Sequence, residues 1–278
     1  MDDWLGLIFY HRPLCSSTIL VYLDRKNYAK TGADEHHKMT SRINKFFALL
    51  GNPFYRRVFI RHHVAAAVEH DMVLSTIGGA LQTVVDIGAN RGQFALAARH
   101  HAPGAYIIAF EPLVEPAEVF REVFRKDAKV ELHLCAIGSQ QGDALMYISG
   151  ADDSSSLLPI TDLQTRLFPG TQESSTRRVT VTPLEKALFP QQIVSPALLK
   201  IDVQGYELQV LKGGKSLLGC FDFLLVECSY KTLYNGQALA GEVLRYLGEA
   251  GFVLVQRFNL LCDENGEPIQ ADFFLRRK

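Results

Sequence analysis

The segment Val84-Val85-Asp86-Ile87-Gly88-Ala89-Asn90-Arg91-Gly92 constrains this chain more than any other. An apolar run ends in an acidic residue, a glycine-bounded turn follows, and Phe94 to His100 continues with helical spacing. That order predicts a strand entering a helix through a tight turn. Glycines there let backbone approach a ligand closely, and N–H groups at a helix start favour an electronegative group. Glu111 closes the next apolar run, Ala105 to Phe110, 23 positions after Gly88. An acidic side chain about 20 residues beyond such a turn is placed to accept hydrogen bonds from ribose hydroxyls. The unit predicts a nucleoside-containing cofactor.

The glycine spacing narrows the choice. A dinucleotide fingerprint reads G-x-G-x-x-G, whereas this turn reads Gly88-x-x-x-Gly92, with Asn90 in the place of the second glycine. An NAD-dependent oxidoreductase is therefore disfavoured. The turn suits one adenosine carrying an amino-acid tail, S-adenosylmethionine, with Asp86 as an acceptor for that tail or as a cap of the turn.

From Thr83 onward, short apolar runs alternate with amphipathic stretches, the rhythm of βα units around a largely parallel sheet. Strands are predicted at 84–87, 105–110, 130–135, 198–203, 223–228, 252–258 and 272–275. Helices are predicted from Phe94, Pro116, Tyr206 and Leu239. Between the third and fourth strands, 138–148 reads as a hairpin and 179–181 as a short strand. The turn-rich stretches 152–156 and 169–176 read as a solvated loop or a lid. Residues 1–75 read as a helical cap, interrupted by the breaker Gly51-Asn52-Pro53, and 76–278 as the cofactor domain. The histidines before position 75, His70 among them, fit no metal signature and read as helix faces and core edges.

Composition limits the function classes. A chain of 278 residues with 47% hydrophobic and 21% charged residues and a net charge of −1 is globular, and lacks the basic excess of a dedicated nucleic-acid binder. Its five cysteines are widely spaced without a C-x-x-C, which points to a reducing compartment. The acidic start and the short apolar runs at 5–10 and 19–23 suit neither a secretory signal nor a membrane span. A cytoplasmic protein is expected, and a homo-oligomer is compatible with the sequence.

Several further motifs stand in order: Ala109-Phe110-Glu111-Pro112, Ala136-Ile137-Gly138, Ser155-Ser156-Leu157, Leu199-Lys200-Ile201-Asp202-Val203-Gln204-Gly205-Tyr206-Glu207 and Glu227-Cys228-Ser229. With the first turn, they resemble the FkbM family of S-adenosylmethionine-dependent methyltransferases over roughly residues 80 to 278. The resemblance implies a class I methyltransferase fold, Rossmann-like, with a seven-stranded sheet in the order 3-2-1-4-5-7-6, its last strand antiparallel, and helices on both faces. It also implies O-methylation of a hydroxyl on a sugar, glycan or polyketide-type acceptor.

In an open α/β sheet, ligands bind beyond the carboxyl ends of the strands. The expected cofactor set is Asp86, Gly88, Ala89, Asn90, Gly92, Phe94, Glu111, Pro112, Cys135, Ala136 and Asp202. Asp202 is the expected general base, assisted by Glu207 or Glu227; were a divalent cation used, Asp202 would be its ligand instead. Glu207 also reads as a solvated or dipole-compensating charge. Ser155, Ser156, Lys200, Tyr206, Tyr230 and Tyr234 are candidates for the acceptor side, Lys200 also as the partner of a nearby acid and the tyrosines also as core. Cys135 and Cys228 read as small buried hydrophobes. The competing reading is a non-catalytic module of the same fold, partnering a glycosyltransferase or biosynthetic complex.

Overall fold

A computed structural model describes residues 49–278. The acidic start, the apolar runs at 5–10 and 19–23, Cys15, His36 and His37 lie outside those residues. The strands are β1 (Thr83–Ile87), β2 (Tyr106–Phe110), β3 (Val130–His133), β4 (Ala136–Ile137), β5 (Gly142–Ser149), β6 (Glu173–Thr182), β7 (Ala197–Ile201), β8 (Phe223–Ser229), β9 (Phe252–Cys262) and β10 (Pro268–Arg277). Seven form one sheet in the order β3-β2-β1-β7-β8-β10-β9, with β10 antiparallel to both of its neighbours. This is the order and polarity expected for a class I methyltransferase sheet.

The apolar runs are continuous because the central strands are covered on both faces. Val85, Ile87, Ile108, Phe110, Leu199, Ile201, Leu224 and Val226 point to one side, where Leu208, Leu211, Val243 and Leu247 cover them. Val84, Ile107, Ala109, Leu198 and Leu225 point to the other, against Phe94, Leu96, Phe120 and Phe124. Tyr55, Val64, Val73 and Leu74, from the segment before β1, pack into this second cluster. Among the described residues, no helix is long and apolar enough to cross a membrane.

Several local expectations change. Gly51-Asn52-Pro53, expected as an interruption, starts the helix Pro53–His62: Asn52 Oδ1 accepts from Phe54 N at 2.9 Å, and Pro53 occupies the first turn. The third strand ends at His133 rather than Cys135, and Ala136–Ile137 crosses to a second, three-stranded sheet ordered β4-β6-β5. Residues 138–148 form no hairpin. Gly142–Ser149 instead pairs antiparallel with the distant Glu173–Thr182, which absorbs part of the expected 169–176 loop. The helix expected from Tyr206 stops at Gly213, where a Cβ would lie 1.9 Å from the Gly138 carbonyl oxygen, and a 3-10 turn over Lys215–Cys220 follows. The insertion thus folds as a small sheet with a connecting helix, Asp162–Leu167, standing over the carboxyl edge of the main sheet.

The turn after β1 is locked by contact within the protein. Gly88 has φ +80°, and a Cβ there would lie 1.8 Å from the Asp202 carbonyl oxygen. At Gly92, φ +94°, a Cβ would meet the rings of Phe124 at 2.8 Å and Phe120 at 3.0 Å. Gly88→Ala must distort backbone that has no room to yield, and is expected to destabilise the protein by about 2–3 kcal/mol or more in urea unfolding. An alanine variant as stable as the parent would refute the close approach.

Candidate functional site

The turn, the carboxyl ends of the central strands and the insertion enclose a cavity of about 700 Å³. That lies within the range of small-molecule sites. Gly88, Ala89, Asn90, Phe94, Glu111, Pro112, Cys135, Ala136, Lys200, Asp202, Tyr206, Glu227 and Ser155 all line it. Most of the expected site therefore converges on one space.

At the β2 end, Glu111 is 5% exposed, and its two carboxylate oxygens accept from Asn90 N and Leu113 N, each at 2.9 Å. Burial pushes its carboxyl up to about 7, against the opposing pull of those N–H groups. Asn90 needs φ +48° to present its N–H here, a conformation an asparagine tolerates.

At the β1 end, Asp86 is fully buried and is not part of the cavity wall. Its partner is the Lys200 ammonium, 3.2 Å from Oδ1, rather than an open space beside the turn. Lys200 Nζ also donates to the Gly88 carbonyl at 3.1 Å, lies 3.6 Å from Asp202 Oδ2 and sits 5.6 Å from the centre of the Phe94 ring. Burial alone would lower the Lys200 pKa, but Asp86 and Asp202 outweigh it and hold the ammonium above its usual range. The expectation that Lys200 pairs with a nearby acid is met twice over.

Beyond β7 the chain turns through Gln204, φ +55°, and Gly205, φ +96°. The turn faces Gln204 to the acids: its Nε2 donates to Asp202 Oδ1 at 2.8 Å and to Glu227 Oε2 at 3.0 Å, while its Oε1 accepts from Tyr234 OH at 2.9 Å. Gln270 Nε2 donates to the other oxygen of Glu227 at 2.8 Å. On β10, Asp272 pairs in register with Glu227 and accepts from Asn259 Nδ2 at 2.6 Å. Burial and then the neighbouring Asp202 push the Glu227 carboxyl well above the carboxylate range, and burial lifts Asp272 to about 7. The Asp202 side chain keeps 35% of its surface accessible, so it is the more open member of this row.

Other candidates stand back from the cavity. Glu207 is 2% exposed, not solvated; it accepts from Gly205 N at 2.8 Å beneath the turn, and burial raises it to about 7. Ser156 donates to the Gln204 carbonyl at 2.7 Å, and Tyr234, 1% exposed, braces Gln204 from behind. Tyr230 accepts from Arg257 at 3.1 Å. None of these four belongs to the cavity wall. Cys228 is buried and Cys135 half-buried, and burial pushes both thiols up, away from nucleophilic character.

Sequence reasoning missed Gln204, Gln270, Asp272, His70 and Gln93. His70 lines the cavity between the rings of Phe94 and Phe258, with Nδ1 3.9 Å from Asp272 Oδ2. Gln93 lines it with a side-chain oxygen that is buried and, among the described residues, without a hydrogen-bond donor. A polar residue between Ala271 and Phe273 was the one visible signal for Asp272; nothing local marked the glutamines. Among the described residues, no group of three or more His, Cys, Asp or Glu side chains is arranged to hold a metal ion.

Comparison with known proteins gives a consistent family. The sequence profile described as Methyltransferase FkbM domain matches residues 86–254. The 2-O-methyltransferase NoeI of Sinorhizobium fredii is 28% identical over 210 residues, covering 72% of this chain and 84% of that protein. Methyltransferase 1 of Beauveria bassiana is 27% identical over 145 residues, covering 47% of this chain and 57% of that protein. Among solved structures, Streptococcus pneumoniae Sp1610, a putative tRNA (m1A22) methyltransferase in complex with S-adenosyl-L-methionine, aligns with a TM-score of 0.44 at 10% identity, covering 74% and 71% of the two chains.

The buried acids carry a pH signature. Glu111, Glu207 and Asp272 each sit near 7 in the fold and ordinarily titrate near 4, so the folded protein binds more protons than the unfolded chain between those values. Their contribution to stability is complete below the unfolded pKa and is lost as pH rises through about 7. Urea unfolding between pH 4.5 and 7.5 should show a downward slope that Glu207→Gln flattens; an unchanged slope in that variant would contradict the assignment.

Proposed function

The chain belongs to the FkbM methyltransferase family, whose profile spans residues 86–254, and from that premise we propose that it moves a methyl group from S-adenosylmethionine to a hydroxyl of a sugar, glycan or polyketide-type acceptor. The observation that carries the reading is the open Asp202 carboxylate, which shares one cavity with the buried Glu111 at the glycine turn. The 2-O-methyltransferase relative supports an oxygen acceptor.

The turn end of the cavity fits such a donor. Lone pairs of Glu111 that are not engaged by Asn90 and Leu113 would accept from ribose hydroxyls. Pro112, Leu113, Ala136 and Ile137 give apolar walls for a purine, and the donorless Gln93 oxygen suits the ammonium of an amino-acid tail. Asp86 acts indirectly, holding Lys200 beneath the turn.

Bound S-adenosylmethionine supplies an electrophilic methyl on sulfur, open to in-line displacement. The residues of this chain align the acceptor and take its proton. An alcohol is about as hard to ionise as water, so the proton must leave as the oxygen attacks. Asp202 takes that proton, its carboxylate fixed by Gln204 on one oxygen and by Lys200 near the other. Glu227, its carboxyl pushed well above the carboxylate range by burial and then by Asp202, and its two oxygens occupied by Gln204 and Gln270, leaves the accepting role to Asp202. Glu207 positions the turn through Gly205 rather than meeting the acceptor. The insertion and the described segment before β1, through Ser155, Leu157, Phe59 and Ala65, wall the site against water, the role of a cap for that segment.

Asp202→Asn should lower kcat by about 10²–10⁴-fold, while titration calorimetry finds S-adenosylhomocysteine bound about as tightly as by the parent. Parent-like turnover in that variant would remove Asp202 as the base. A parent protein that binds S-adenosylhomocysteine yet methylates nothing across a panel of hydroxylated acceptors would restore the non-catalytic module.

A further inference from the structure

Gln164 lies on the helix Asp162–Leu167 of the insertion and is 3% exposed, yet among the described residues its side-chain oxygen has no hydrogen-bond donor, and the residue lines the cavity. A buried amide oxygen left without a donor is unfavourable, and native proteins rarely keep one without use. The position is not slack. Thr161 Oγ1 caps the helix by accepting from Gln164 N at 3.2 Å and itself donates to the Leu233 carbonyl at 2.8 Å. The Gln164 carbonyl accepts from Phe168 N at 2.8 Å. Leu163, Leu167 and Phe168 pack against the cluster of Leu233, Tyr234 and Ile269, anchoring the helix on the main body.

On the reading that the reaction is O-methylation, we propose that Gln164 recognises a second, non-reacting hydroxyl of the acceptor and so selects polyhydroxylated rings over simple alcohols. The reacting hydroxyl gives its proton to Asp202, so on this proposal the donor to Gln164 is another group of the same acceptor. Leu157 and Phe168 line the same cavity and offer apolar contact to the carbon face of a pyranose. An acceptor with one hydroxyl on an otherwise apolar frame leaves the Gln164 oxygen unpaired, and its binding suffers accordingly. Gln164 is a specificity residue: it reads the acceptor and takes no part in moving the methyl group.

The test compares the parent with Gln164→Met, which keeps the shape and removes the amide, on methyl hexopyranosides and their monodeoxy counterparts. In the variant, S-adenosylhomocysteine binding is expected to be unchanged and the melting temperature equal to or above that of the parent, because an unpaired buried group has been removed. Its kcat/KM should fall about tenfold on the full glycoside, mainly through KM, with no further loss on the one deoxy analogue that lacks the hydroxyl Gln164 reads. Equal losses on every glycoside together with a lower melting temperature would assign Gln164 a structural role and overturn the proposal. So would a variant indistinguishable from the parent on all of them. Should the parent bind S-adenosylhomocysteine but methylate no glycoside, the sugar-acceptor reading itself fails, before any Gln164 variant is compared, and this inference falls with it.

Discussion

The site rests on one buried cation. Lys200 reaches across from β7 to the end of β1, where its ammonium meets the Asp86 carboxylate, the Gly88 carbonyl and the side of Asp202. Without it, Asp86 would be a fully buried charge with no counterion, a state costing several kcal/mol in proteins. Two of these contacts, to Asp86 and Gly88, cross between neighbouring strands that are already paired along their length. Asp202 N donates to the Ile87 carbonyl at 3.1 Å, and the Asp202 carbonyl lies against Gly88 at the turn.

Around this cation the protein gathers more acid than one charge can neutralise, and it manages the excess with burial and amides. Gln204, Gln270 and Asn259 donate N–H groups into the row of Asp202, Glu227 and Asp272. Buried Glu227 and Asp272 hold protons more tightly than free carboxyls, which relieves repulsion, while Asp202 stays open to the cavity. A carboxylate left open beside neighbours that hold protons more tightly is the arrangement on which the proposed base rests.

The main sheet was legible in the sequence because its central strands are buried on both faces, so that Val84-Val85 or Leu198-Leu199 had to be continuously apolar. The turn end of the cavity was legible as well, since Glu111 and the turn are neighbours both in sequence spacing and in space. The end around Asp202 was not. Gln204 acts only because positive φ values at 204 and 205 turn it toward acids on two strands, and Asp272 meets Glu227 through a pairing of distant segments. The insertion deceived for the same reason: Gly142–Ser149 finds its partner at Glu173–Thr182, across a gap in which a local hairpin was the simpler reading.

The two glycines of the turn carry one more implication. Each is required by the protein's own atoms, the Asp202 carbonyl at Gly88 and the Phe120 and Phe124 rings at Gly92. A descendant that lost its methyl donor would still need both to fold, so the glycine signature is a record of architecture that outlives catalysis. Glu111 and Asp202 are under no such steric compulsion, and drift at those two positions would be the earlier mark of an enzyme becoming a scaffold.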